Sequence, residues 1–123
     1  MSKKTFIIAE LSANHGNDIN VVKETIKAAK RSGADAIKIQ TYTADTITIN
    51  SKKKYFQINQ GTYWDGQYLY DLYKTASLPW DWHKEIFEVA KDEEILCFSS
   101  PFDFKAVDLL ESLNNPIYKI ASF

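Results

Sequence analysis

Four short segments with the composition of buried β-strands alternate with helical patterns along this chain, and this alternation limits its fold more than any other feature. The four segments are 6–9, 34–40, 95–99 and 117–121. Strands that alternate with helices pair in parallel and are joined by right-handed crossovers. The order βαβαβαβ therefore predicts an α/β fold, either an open doubly wound sheet or the first half of a (β/α)8 barrel.

The predicted helices are marked by apolar stripes and by residues that begin or end them. Asp18 supplies cap chemistry before the first helix, which has Val22 and Ile26 on its apolar side. This helix can end at Gly33, since glycine readily adopts the left-handed conformation. Asp81 and Asp103 are the predicted N-caps of the next two helices. These signals predict one helix after each of the first three strands.

A long connection at 41–78 separates the second strand from the second of these helices and is rich in aromatic residues, mostly tyrosine. Connections of this length in compact domains are often functional. Its aromatic side chains could form a lid that stacks on a sugar or an apolar ligand, or they could simply pack an irregular segment. The sequence leaves both interpretations open.

The length of the chain decides between a complete and an incomplete barrel. A TIM barrel of eight βα units normally needs about 250 residues, whereas this chain has 123. Four strands would leave an open edge beside the last strand. If the fold is a barrel, residues 1–123 should be its N-terminal half, about four βα units, and the barrel is incomplete in this chain.

Composition and charge exclude several other classes of protein. With 15 basic and 16 acidic side chains and no long block of either sign, the chain has no electrostatic pattern for nucleic acid or an anionic membrane. Cys97 is the only cysteine, so an internal disulfide is impossible and a reducing compartment is expected. The first apolar stretch is too short for a signal peptide or a membrane span. We therefore expect a cytoplasmic protein.

Polar side chains recur at or near the C-terminal ends of the predicted strands, where α/β proteins build their functional sites. Lys38 and Lys119 each stand between apolar neighbours, so their ammonium groups would be partly desolvated and would favour an anionic ligand. Alternatively, both lysines could pair only with Glu10 and extend to solvent. The complete set is Glu10, Lys38, Gln40, Ser99, Ser100, Lys119 and Ser122.

The two histidines do not indicate a metal site. His15, on the first loop, could transfer a proton or orient a substrate, but a local hydrogen-bonding role is the simpler interpretation. His83 is expected to be structural or exposed. Because the two are far apart and no helix carries a pair at ligand spacing, the sequence predicts no metal ligands within this chain.

Four linked segments span essentially the whole chain: IAELSANHG at 8–16, KIQTYTADTI at 38–47, SSPFD at 99–103 and YKIAS at 118–122. Together and in this order they resemble the sialic acid synthase family. Members of this family condense phosphoenolpyruvate with an N-acetylated amino sugar to give a nine-carbon keto sugar acid and free phosphate. Further segments (YTADTITI, YF followed by WDG, LYDLYK and PWDWH) resemble the pseudaminic acid branch, whose acceptor is 2,4-diacetamido-2,4,6-trideoxy-altrose.

The resemblance, carried over residue by residue, implies roles for the strand-end groups. Lys38 and Lys119 would bind phosphoenolpyruvate, with Ser100 and Ser122 as hydroxyl donors to it. Two cations suit a ligand that carries both a carboxylate and a phosphate. Gln40 would face the reacting centre.

The resemblance also implies a catalytic residue and parts that lie outside this chain. Glu10 would face the same centre and orient a water molecule or handle a proton. A divalent metal, manganese or magnesium, would activate the acceptor through ligands from later strands. An antifreeze-like C-terminal domain, absent here, would close the site across a homodimer, so residues 1–123 alone should be inactive.

Three rival interpretations remain open on the sequence. The acceptor could be that of an N-acetylneuraminate or legionaminate synthase. The barrel could belong to a Schiff base aldolase in which Lys38 or Lys119 attacks a carbonyl, and borohydride reduction with a keto acid would then trap a lysine adduct. A small open-sheet binding domain is the non-enzymatic alternative, for which a stable monomer without exposed apolar surface is expected.

Overall fold

Three parallel strands form the sheet, in the order β1, β2, β3. They are β1 (Ile8–Glu10), β2 (Ala36–Thr41) and β3 (Leu96–Pro101). The computed structural model describes residues 4–122 of the chain. The central strand is β2, so it fixes the alignment of both neighbours.

Helices connect the strands, as the alternating pattern predicted. The helices are α1 (Ile19–Arg31), α2 (Ala44–Ile47), α3 (Leu69–Ala76), α4 (His83–Asp92) and α5 (Phe104–Ser112), with 3-10 turns at Lys54–Phe56 and Trp80–Trp82. The connection at 41–78 thus holds two short helices, which the sequence patterns did not predict. Among residues 4–122 no helix has the length and apolar character needed to cross a membrane.

The hydrophobic core lies between the sheet and the helices α1 and α4. Alternate residues of a strand point to opposite faces, and one face of β2 presents Ile37 and Ile39 to Val22 and Ile26 of α1 and to Ile86 of α4. These five side chains are fully buried. The opposite face of the same strand is left for polar residues.

Cys97 of β3 lies in this core as a free thiol. Burial raises the pKa of the Cys97 thiol to about 12. Because the thiolate is the reactive form of cysteine, Cys97 serves as a small apolar core residue.

Three of the predicted helix boundary signals are confirmed. The Asp18 carboxylate caps α1 by accepting a hydrogen bond from the Asn20 amide at 2.8 Å, and Gly33 follows the helix with φ of +84°. Asp103 caps α5 by accepting from the Ala106 amide at 2.9 Å, as predicted. These caps satisfy backbone groups that a helix leaves unpaired at its ends.

The prediction that Asp81 is an N-cap is wrong. Asp81 lies inside the 3-10 turn, and α4 begins two residues later at His83. The Pro79 carbonyl accepts the Trp82 amide at 3.2 Å, so a tight turn leads directly into the helix. A 3-10 turn that starts from Pro79 therefore precedes α4 in place of a side-chain cap.

The first strand is shorter and more exposed than predicted. Residues 6–9 were expected to be a buried strand, but β1 covers Ile8–Glu10, and the side chains of Ile7 and Ile8 are about half exposed. In the described part of the chain β1 pairs only with β2 and is therefore an edge strand.

The predicted fourth strand is not formed within the described residues. Segment 117–121 contributes one parallel bridge between Tyr118 and Ser99 and one hydrogen bond from the Lys119 amide to the Ser99 carbonyl at 3.2 Å. Ile120 is 80% exposed. The segment lies along the outer edge of β3 but has no second strand to complete its pairing.

We predict that Ile86→Ala lowers the free energy of unfolding by about 2–5 kcal/mol, because it leaves a cavity in the core between α4 and the sheet. Urea unfolding followed by circular dichroism measures the change. The matched control is Phe104→Ala, which removes a side chain that is 90% exposed and should change stability by less than about 0.5 kcal/mol. Equal effects of the two substitutions would contradict this location of the core.

Candidate functional site

Pairing of the three strands brings four of the predicted site residues onto one face of the sheet. Glu10 of β1 lies beside Lys38 of β2, and Gln40 of β2 lies beside Ser100 of β3. Lys38 and Gln40 are two residues apart and therefore share a face. The sheet thus places a carboxylate, an ammonium, an amide and a hydroxyl group near the C-terminal ends of adjacent strands.

Glu10 and Lys38 form an ion pair at the centre of this group. The Lys38 side chain is only 15% exposed and that of Glu10 37%. The other carboxylate oxygen of Glu10 accepts the Ser12 amide at 3.0 Å, which holds the carboxylate at the start of the first loop. A largely buried cation needs such a partner, and for Lys38 the pairing with Glu10 is the one that the alternative interpretation described.

The two predicted site residues of segment 117–122, Lys119 and Ser122, are both exposed. Lys119 is exposed and forms no ion pair within residues 4–122, so it does not join Lys38 at Glu10 as the alternative interpretation had it. Ser122 lines a cavity of about 210 Å³ together with Gln40, Tyr42 and Phe102. Ser122 therefore lies beside the polar face of the sheet.

Ser100 is 2% exposed, and its hydroxyl makes no hydrogen bond within the part of the chain that the structure describes. Ser100 therefore retains a donor that a ligand could use, next to Gln40.

Ser99 does not belong to this site, contrary to the sequence prediction. Its hydroxyl contacts Thr41 Oγ1 at 2.7 Å and the Ile39 carbonyl at 3.2 Å. Because successive residues of a strand face opposite sides, Ser99 points toward the helices while Ser100 points to the polar face. The same alternation that puts Lys38 on the polar face puts Ser99 and Ser100 on opposite faces of the sheet.

His83 is fully buried behind the site and is structural, one of the two roles expected for it. Its Nδ1 lies 3.1 Å from the Pro79 carbonyl, which can only accept, so Nδ1 carries the proton. Burial lowers the pKa of His83 below the ordinary 6.5 and favours the neutral ring. The Thr41 hydroxyl then donates to Nε2 at 2.8 Å, which ties the end of β2 to α4.

His15 is also buried and holds the first loop against α3. The Asn17 amide donates to His15 Nδ1 at 3.0 Å, so Nε2 carries the proton and donates to the Ala76 carbonyl at 3.0 Å. Both ring nitrogens are therefore occupied. The local hydrogen-bonding role is the one observed, since neither nitrogen is open to a substrate.

Aromatic residues of the long connection form part of the site that motif analysis did not identify individually. Tyr42, Trp64 and Tyr73 line a cavity of about 420 Å³ that opens beside Gln40. The only signal in the sequence was the abundance of aromatic residues at 41–78. Which of them reach the cavity depends on how α3 packs against the end of β2.

The described residues do not build a metal centre. Within residues 4–122 no three histidine, cysteine, aspartate or glutamate side chains lie close enough together to hold a metal ion. Glu10 is the carboxylate of the polar face, and it is already engaged by Lys38 and the Ser12 amide.

Parallel strands that present an ion pair, an amide and a hydroxyl group at their C-terminal ends have the arrangement on which α/β proteins build their functional sites. The chain belongs to the NeuB family, whose sequence model matches residues 25–123.

Individual relatives extend this likeness to almost the whole chain. The chain is 56% identical over 117 residues to the pseudaminic acid synthase of Helicobacter pylori, a match that covers 95% of this chain and 34% of the relative. It is 55% identical to a pseudaminic acid synthase of Campylobacter jejuni, covering 98% and 35%. Identity to the N,N'-diacetyllegionaminic acid synthase of Campylobacter jejuni is 38%, covering 98% and 36%. The chain thus spans about a third of the length of these relatives.

Solved structures share the fold. The N-acetylneuraminic acid synthetase of Leptospira borgpetersenii superimposes with a TM-score of 0.76 at 28% identity, covering 96% of this chain and 36% of that chain. The spore coat polysaccharide biosynthesis protein SpsE of Bacillus subtilis superimposes with a TM-score of 0.69 at 26% identity, covering 100% and 31%. Together they confirm the α/β architecture, and this chain corresponds to about a third of each of those chains.

We predict that His83 makes stability fall as the pH drops below about 6.5. The folded-state pKa of His83 lies below the unfolded value of 6.5, so both states are neutral above that pH, and below it the unfolded chain takes up the proton first. Urea unfolding at pH 7, 6 and 5 should show a smaller loss in His83→Gln than in the unchanged protein. Equal losses in the two proteins would refute this assignment.

Proposed function

We propose that the protein containing this chain condenses phosphoenolpyruvate with 2,4-diacetamido-2,4,6-trideoxy-altrose to form pseudaminic acid and phosphate. The observation that carries the proposal is the identity of 54–56% to three pseudaminic acid synthases over 95–98% of this chain. Identity to the legionaminic acid synthase of Campylobacter jejuni is lower, at 38% over a similar length. The higher sequence identity to the pseudaminic acid synthases favours their acceptor over the related sugars.

The polar face of the sheet supports the binding of phosphoenolpyruvate. Lys38 supplies a positive charge that is largely shielded from water, and Ser100 supplies a hydroxyl donor without an internal partner among the described residues. Lys119 and Ser122 would add a second cation and a second hydroxyl from the next segment of the chain. Charge-assisted hydrogen bonds of this kind suit a ligand with a carboxylate and a phosphate.

The reaction forms one C–C bond and one C–O bond and breaks one C–O bond, with a proton transferred to the aldehyde oxygen. C3 of phosphoenolpyruvate forms a bond to the aldehyde carbon of the sugar, and the aldehyde oxygen takes a proton. Water then adds at C2, and cleavage of the bond between C2 and the phosphate oxygen releases phosphate and leaves the keto acid. Glu10 lies beside Lys38 and would orient the water or accept its proton, with Gln40 holding the reacting groups.

We further propose that the sheet is the N-terminal part of a (β/α)8 barrel whose other strands lie outside residues 1–123. The exposed side chains of Ile7, Ile8 and Ile120, at the two open edges of the sheet, support this view because added strands would bury them. A divalent metal, manganese or magnesium, would be held by residues from outside this chain, as the resemblance to the family implies. A homodimer of the complete protein, and inactivity of residues 1–123 alone, complete the proposal.

We expect the full-length product of the gene to release phosphate from phosphoenolpyruvate when manganese and the diacetamido altrose sugar are supplied. Lys38→Ala should lower kcat/KM about 100-fold or more, because a buried charge that contacts the substrate is lost. Steady-state phosphate release measures both effects. Lys84→Ala is the matched control, since that lysine is 77% exposed on α4, and it should leave the rate unchanged.

Either of two results would overturn the proposal. Phosphate release with N-acetylmannosamine but not with the altrose sugar would move the protein to the sialic acid branch. No release with either sugar would refute the synthase assignment.

A further inference from the structure

The cavity of about 420 Å³ beside Gln40 has a mainly apolar wall. Aromatic and aliphatic side chains dominate it, with Tyr42, Trp64, Leu72 and Tyr73 as the large ones. Cavities of a few hundred Å³ with apolar walls and a small number of polar groups are typical of small-molecule sites. The volume is therefore adequate for part of a sugar.

This cavity adjoins the proposed phosphoenolpyruvate groups. Gln40, Tyr42 and Tyr73 line both it and the smaller cavity of about 210 Å³ that contains Ser122. A sugar whose aldehyde carbon lies near Gln40 would consequently extend one end into the apolar space.

The inner wall of the cavity is firmly packed. Tyr42 is 5% exposed and makes edge-on contacts with Tyr73 and Phe102, at ring-centre distances of 6.1 and 5.4 Å. The indole nitrogen of Trp80 donates to the Tyr42 carbonyl at 3.1 Å. Such aromatic pairs resist rearrangement, so the inner wall is already shaped before a ligand enters.

Trp64 forms the outer part of the wall and remains 48% exposed. The loop that carries it is held by the next residue, because the Asp65 carboxylate accepts the amides of Gln60, Gly61 and Thr62 at 2.9–3.1 Å. A large aromatic side chain on a braced loop, half covered by protein, provides a flat apolar surface for a ligand.

We propose that Trp64 and the apolar cavity receive a methyl-ended substituent of the acceptor sugar, and that Trp64 is a specificity-determining residue. The inference rests on the proposed function, whose acceptor ends in methyl groups at its deoxygenated C6 and at its two acetamido groups. A hydroxyl group in their place would lose hydrogen bonds to water inside an apolar wall. The site thus selects for the deoxygenated, acetylated sugar.

The test compares three acceptors with the full-length protein. They are the diacetamido trideoxy sugar, its analogue with a hydroxymethyl group at C5 in place of the methyl group, and its analogue with one free amino group. Trp64→Ala should lower kcat/KM for the first acceptor about tenfold or more and reduce the preference over one analogue by a similar factor, while KM for phosphoenolpyruvate stays constant. Trp64→Phe, which keeps an aromatic face, should retain most of the preference.

The outcomes separate the two sources of the methyl group. Loss of preference over the hydroxymethyl analogue assigns the cavity to C6, and loss over the amino analogue assigns it to an acetyl group. Tyr55→Ala is the control, because Tyr55 lies on the same connection, is 91% exposed and does not line the cavity; it should leave all preferences unchanged. Unaltered preferences in Trp64→Ala overturn the inference alone, whereas no phosphate release by the unchanged protein with any acceptor overturns the proposed function and this inference with it.

Discussion

The parallel pairing of β2 with both neighbouring strands is the constraint on which the rest of the structure depends. Because side chains alternate along a strand, this pairing assigns Ile37 and Ile39 to the core and Lys38 and Gln40 to the polar face. A shift of one residue would exchange the two sets. The free energy gained by burying the isoleucines is therefore also what holds the polar groups in place.

Two buried histidines stabilise the elements around this strand without entering its chemistry. His83 joins the end of β2 to α4 through Thr41, and His15 joins the first loop to the end of α3 through the Ala76 carbonyl. Both rings have their two nitrogens engaged. His83 lies behind the sheet and His15 lies beside it. Their hydrogen bonds therefore add to the packing that holds the walls of the cavities beside Gln40.

Predictions made from local sequence patterns were confirmed where contacts within a single element decide its structure. The stripe of α1 and the caps Asp18 and Asp103 are examples, since a helix of this length buries the face that its own periodicity defines. The N-cap assigned to Asp81 was wrong because the Pro79 carbonyl started a tight turn before the helix. The predicted strand at 117–121 is not formed within the described residues. The segment has β3 on one side only, and it makes a single bridge to that strand.

For the candidate site, the sequence by itself determined which polar groups stand at the strand ends, because a period of two residues and the strand boundaries are local properties. Glu10, Lys38, Gln40 and Ser100 follow from that pattern. Only the tertiary structure decided that Glu10 pairs with Lys38, that the Ser99 hydroxyl contacts Thr41, and that Tyr42, Trp64 and Tyr73 enclose one cavity. The physical reason is that these contacts join residues far apart in the chain, and their partners are set by how α3 and α4 pack on the sheet.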